Sequence, residues 1–158
     1  MDTNKRKSNW RRIQERSRAA SDVVQKKLIL FDAIRAIEIE HGPYVAELIY
    51  PFEKLIELHH ELNERELASL LLSRYYLVLE MNSIEEPERL LSAVEKMWDQ
   101  GYLNEALRAC CRLLYLLYES HAVKKQLIDD AWYLLDEMHK QHPDVTAKKL
   151  LKYLRKRN

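Results

Sequence analysis

Trp98–Ser120, WDQGYLNEALRACCRLLYLLYES, holds the turn on which the fold of the whole chain hinges. Gly101 ends one apolar-periodic run, and Asn104-Glu105-Ala106-Leu107 opens the next. This is the layout of a helical hairpin: a glycine stop, a short turn, then a second helix packing back on the first. Ala106, small and early in the second helix, lets the two backbones approach closely.

Working outward, composition points the same way. The chain of 158 residues has only 2 Gly and 4 Pro, so long helices are favoured and strands have little support. An apolar content of 47% is that of a globular protein, and the length is that of one domain with a real core. We expect a basic N-terminal arm over 1–20 and a single helical domain over 21–158. No apolar run is long enough to cross a bilayer, and the N-terminus has no apolar signal region. The expectation is a cytoplasmic protein that does not enter membranes. Cys110 and Cys111 are adjacent in a helical pattern and point about 100° apart, so they read as two buried thiols.

The apolar spacing predicts about seven helices joined by short loops. Trp10 to Glu40 is one long helix or two, with Ser21-Asp22 as a possible new cap. In its second half Val23, Val24, Lys27, Leu28, Phe31, Ile34 and Ile37 or Glu38 trace the amphipathic face. His41-Gly42-Pro43 is a break. From Tyr44 to Leu62 one face carries Val45, Leu48, Ile49, Phe52, Leu55, Ile56 and His59, and Pro51 either kinks that helix or starts a second. Arg65–Met81 is apolar nearly all round and predicts a central buried helix. Ser83 and Glu86 have capping-box spacing before Leu90, Leu91, Val94, Met97 and Trp98. After Ser120, Leu127, Ile128, Ala131, Leu134, Leu135 and Met138 mark a further helix, and Leu150, Leu151 and Leu154 a last one behind the cap Asp144. The fold class expected is all-α, a right-handed stack of about three helical hairpins, solenoid-like or a compact bundle, behind a basic N-terminal helix.

The two dense runs align at an offset of 39, which sets Glu66 on Glu105, Tyr76 on Tyr115, Leu77 on Leu116 and Glu80 on Glu119. Gln100-Gly101 with Glu105-Ala106-Leu107 resembles the turn and second-helix start of a tetratricopeptide repeat, over about one hairpin, Pro87–Tyr118. The first-helix aromatic position is Leu90 here and the closing proline is missing. Leu135-Asp136-Glu137-Met138 followed by Pro143-Asp144-Val145-Thr146 is similar to a junction between pentatricopeptide repeats, a family that reads single-stranded RNA. The first resemblance implies a helical groove that binds a protein segment, the second an RNA strand.

A net charge of +1 hides a strong asymmetry. Residues 1–27 carry nine Lys/Arg against three acids and 144–158 carry six against one, while 28–143 carry eleven against twenty-one. Lys5, Arg6, Lys7, Arg11, Arg12, Arg16 and Arg18 with Trp10, and separately Lys148, Lys149, Lys152, Arg155, Lys156 and Arg157, form candidate patches for phosphates or an acidic partner. That partner includes a second copy of the acidic middle, which makes a homo-oligomer a further expectation. Tyr outnumbers Phe 9 to 2. Tyr75, Tyr76, Trp98, Tyr102, Tyr115 and Tyr118 are the candidate lining of a partner groove, since tyrosine suits interfaces, although plain core accounts for them as well.

Chemistry finds less support. No nucleophile stands beside an oriented base, and there is no phosphate-binding glycine loop. His59-His60 among Glu57, Glu61 and Glu64, and His139 with His142, read as polar surface and not as metal ligands. The expectation is therefore a non-catalytic protein without cofactor or metal. It leads with a protein-interaction or adaptor function and keeps RNA or DNA binding through the basic arms as the alternative.

Overall fold

The computed structural model describes residues 22–120 and 125–141, with Arg11, Arg12, Glu15 and Lys152 in addition. All regular structure among these residues is helical. Among the described residues six α-helices have both ends defined: α1 Val23–His41, α2 Ile49–Glu61, α3 Arg65–Asn82, α4 Pro87–Asp99, α5 Leu103–Glu119 and α6 Lys125–Gln141, with a short 3-10 turn, Ala46–Leu48, before α2. The last helix expected after Pro143 lies outside the described residues, as does most of the basic N-terminal arm. The chain divides into two compact units, Met1–Asn82 and Ser83–Asn158.

In the first unit α2 packs against both α1 and α3. Asp22 caps α1 as the Ser21-Asp22 pair predicts, its carboxylate accepting from the Val24 N–H at 3.0 Å. Gly42 at φ 94° closes α1, donating to the Glu38 carbonyl at 2.9 Å. Pro51 sits in the first turn of α2, so it starts a new helix and does not kink an old one. Leu30, Ile34, Ile37, Leu48, Phe52, Leu55 and Val78 form the core, with Leu71 and Tyr75 packed on it.

Two expectations change here. The face of α1 that turns inward is Leu30, Ala33, Ile34 and Ile37, whereas Val24, Leu28 and Phe31 are exposed. α1 carries two apolar stripes about half a turn apart, and spacing alone does not say which one a neighbour covers. In α3 the residues buried are Ala68, Leu72, Tyr76, Val78 and Leu79, while Leu67, Leu70 and Met81 remain exposed. An all-round apolar helix is thus buried on part of its circumference only.

In the second unit α5 packs on both α4 and α6, and α4 also meets α6. Pro87 is the first residue of α4, where a missing N–H costs nothing, and Glu86 is its cap position. Ser83, expected as the cap, is instead buried in the preceding turn and its carbonyl accepts from the Glu86 N–H at 3.0 Å. The buried residues include Leu90, Val94 and Met97 of α4, Leu107, Leu113, Leu114 and Leu117 of α5, and Ala131, Leu135 and Met138 of α6.

The turns α2–α3 and α4–α5 are closed alike. After α2, the Glu64 N–H donates to the His59 carbonyl at 2.8 Å and the Asn63 N–H to the His60 carbonyl at 3.0 Å. After α4, the Tyr102 N–H donates to Met97 at 2.9 Å and the Gly101 N–H to Trp98 at 2.9 Å. Both are six-to-one bonds enclosing a five-to-two bond about a left-handed residue, Asn63 at φ 60° and Gly101 at φ 87°. The equivalent offset is one shorter than 39, Asn63 matching Gly101. In that register the buried residues Ala68, Leu72, Tyr76 and Leu79 of α3 match Ala106, Cys110, Leu114 and Leu117 of α5, all buried too. The offset of 39 had matched Tyr76, buried, with Tyr115, exposed.

Candidate functional site

Two ion pairs fix how α1 lies beside α3. Lys27 near the start of α1 pairs with Glu64, just before α3, and Glu38 near its end pairs with Arg74 further along α3. Both bridges advance in the same direction, so α1 and α3 run parallel. On α1 the bridging residues separate the buried row from Val24, Leu28, Phe31 and Ile39. On α3 Arg74 stands between Leu67 and the exposed Leu70 and Met81, with the core residues Val78, Leu71 and Tyr75 beyond Leu67. Both exposed rows therefore lie next to the bridged seam, with Phe31 also reaching His59 of α2. Ile39 is 77% exposed and Leu70 70%. Apolar rows of this kind, rimmed by charge, mark interaction surfaces.

The seam is fastened at its ends. Arg74 lies over the Phe52 ring, its guanidinium carbon 5.2 Å from the centroid, so its stem covers the core while its head meets Glu38. Glu64 takes Lys27 and also His59, whose Nδ1 lies 3.3 Å from the carboxylate. The hydrogen bond from Lys27, with that of His59 behind it, holds the Glu64 carboxyl below the usual 4.5 against a smaller opposing effect of desolvation. His59 is only 2% exposed, edge-on to Phe31 at 6.3 Å, and its Nε2 is buried without a hydrogen-bond partner. Polar surface is thus the wrong reading for His59. It belongs to the inward face of α2, where the apolar spacing over Tyr44–Leu62 also put it, while His60 is half-buried.

The aromatic residues expected to line a groove fall in different settings. Tyr75 is half-buried and its hydroxyl donates to Glu53 at 2.6 Å, while Tyr76 is buried. In the second unit Tyr102 is buried, Tyr115 is exposed, and Trp98 donates from Nε1 to Gln141 at 3.0 Å. Tyr118 accepts from the Trp132 Nε1 at 2.6 Å, with the rings T-shaped at 6.5 Å. Tyr102 and Tyr118 flank opposite ends of α5, about 24 Å apart along its axis at 1.5 Å per residue. Of the basic patches, Arg11, Arg12 and Lys152 are helical and exposed. Lys5, Arg6, Lys7, Trp10, Arg16, Arg18, Lys148, Lys149, Arg155, Lys156 and Arg157 lie outside the described residues, as does the Pro143–Thr146 half of the pentatricopeptide-like junction.

Sequence reasoning passed over the α1/α3 face because it assigned Val24, Leu28 and Phe31 to the core. The signal was present in the four-three spacing of those residues beside a second apolar row. Cys110 and Cys111 are both buried thiols, and the Cys110 Sγ lies 3.4 Å from the Ala131 carbonyl. Burial, reinforced by Cys111, pushes the Cys110 thiol far above its ordinary range, which removes it as a nucleophile. Among the described residues no three His, Cys, Asp or Glu side chains gather as a metal-binding group, and no helix is long and apolar enough to cross a membrane. In comparison with known proteins, no family model, no curated protein and no solved structure matches the chain.

Proposed function

We propose that this chain is a non-catalytic interaction module of the helical-hairpin repeat class, resembling tetratricopeptide proteins, that docks a partner's apolar helix face on α1 and α3. The observation that carries it is the pair of parallel exposed rows, Val24, Leu28, Phe31 and Ile39 beside Leu67, Leu70 and Met81, on one side of a unit whose core is otherwise closed. In the register set by Asn63 and Gly101, α3 is the second helix of its hairpin and α1 the helix before that hairpin; two such parallel helices still present a surface on which a partner helix is held at three- and four-residue spacings. The matched closures at Asn63 and Gly101 support the repeat reading, and the thiols of Cys110 and Cys111 support a reducing, cytoplasmic setting.

The test is a photo-crosslinking residue placed at Leu70 and, as control, at the exposed Glu88 of α4. Position-dependent protein adducts from Leu70, lost when Phe31 and Leu67 are made Ser, uphold the docking face. Adducts that are equal at both sites sink it. Exposed Arg11, Arg12 and Lys152 at the basic ends of an otherwise acidic chain favour RNA or DNA binding as the second reading. Anisotropy of labelled single-stranded RNA and duplex DNA at several salt concentrations decides it. Steeply salt-dependent binding, lost on removing residues 1–20, replaces the first reading with the second.

A further inference from the structure

We infer that the occupant of the α1/α3 face is a second copy of this chain, with the two α1 helices crossing antiparallel about a two-fold axis between Ala33 and Ile34. This rests on reading that face as a docking surface. A two-fold contact is made by one patch meeting itself, so the patch must be complementary to its own rotated image.

The α1 strip meets that condition through Asp32 and Arg35. Both are exposed, both stand among Leu28, Phe31 and Ile39, and neither makes an ion pair among the described residues. The other charges along the seam, Lys27, Glu38, Glu64 and Arg74, are engaged with one another across α1 and α3. One acid and one base are therefore left on an apolar strip, one helical turn apart. An antiparallel crossing centred between Ala33 and Ile34 sets Arg35 level with the partner's Asp32, and Asp32 level with the partner's Arg35. The same register sets Leu28 against the partner's Ile39 and Ile39 against the partner's Leu28. A parallel pairing would oppose like charges at both positions, which is unfavourable. The Leu67, Leu70 and Met81 row of α3 lies beside the crossing on the same face and adds to the apolar area covered.

Sedimentation velocity on the full chain tests this over a concentration series. The wild type is expected to dimerise. Asp32→Arg puts two bases in each strip and Arg35→Asp two acids, so each variant alone is expected to self-associate at least about tenfold more weakly. Both positions are exposed, and unchanged circular dichroism confirms that each variant folds. Mixed one to one, the two variants are expected to form a heterodimer of wild-type strength, because every crossing pair is again of opposite sign. A merely structural effect of either substitution would not be repaired by mixing. Wild-type monomer across the series, or association that ignores the reversals, or a mixture no stronger than its components, overturns the proposal. A monomeric wild type that still crosslinks to another protein from Leu70 refutes self-pairing while leaving the docking face standing. Loss of both refutes both.

Discussion

Asn63 and Gly101 hold the same place in two separate turns. Each is the left-handed residue that ends one helix, enclosed by the same nested pair of backbone hydrogen bonds. Only one of the two is glycine, so the turn α2–α3 carries a strain that α4–α5 does not. Asn63→Gly is therefore expected to leave the turn intact and to be neutral or stabilising by up to about 1 kcal/mol. Gly101→Ala is expected to destabilise by about 1–2 kcal/mol. Urea denaturation of both variants measures this, and a costly Asn63→Gly would contradict it.

Phe52 is fully buried on α2, with Arg74 across its ring and the Leu30, Leu48 and Leu55 core beside it. Phe52→Ala removes a ring that α1 and α3 both depend on through α2, and is expected to cost about 3–5 kcal/mol. Phe52→Leu should cost much less. Calorimetric melting of the two variants shows whether volume at this point governs the first unit.

Leu70→Ser and Ile39→Ser should change stability by no more than about 0.5 kcal/mol, because both side chains stand in solvent. A large loss on thermal melting would mean that these residues are core after all. Little loss of stability together with loss of association is the signature of a docking face.

Glu64 gives the first unit a pH dependence of known sign. Its folded carboxyl is held below the usual 4.5 by Lys27 and His59, so the folded state favours the charged form. The stabilisation is complete well above 4.5 and is lost as pH falls through the depressed folded value. The stability gap between wild type and Glu64→Gln should therefore be open at neutral pH and closed in strong acid. A gap independent of pH in a denaturation series would show that Glu64 acts by shape and not by charge.

Neither Cys110 nor Cys111 should react with a thiol reagent while the protein is folded, since both are buried and the Cys110 thiol resists ionisation. Both should react on unfolding in urea. Fast labelling of the native protein would require an opening motion of α5 against α6.

The element boundaries were legible because they depend on local chemistry. Gly42 before Pro43, Gly101 before the Asn104–Leu107 run, Asp22 as a cap and Pro51 in a first turn each act within a few residues of themselves, and each sits where local rules put it. The inward faces of α2, α4 and α6 were legible too, since each of those helices has a single apolar side. α1 and α3 are the exceptions. Each has apolar residues on two sides, and periodicity is silent on which side a neighbour will cover.

What the sequence determined by itself is that this chain is helical, where most of its helices begin and end, and that its charge is sorted into basic ends and an acidic middle. Only the tertiary structure decided that Leu30 and Ala33 join Ile34 and Ile37 inside while Val24, Leu28, Phe31 and Ile39 stay out, and that Lys27 reaches Glu64 and Glu38 reaches Arg74. The physical reason is one of range. Caps, turns and propensities are settled by neighbours along the chain, whereas the choice between two apolar stripes is settled by which one a distant helix can reach. The candidate site lies on the stripes that α2 left uncovered.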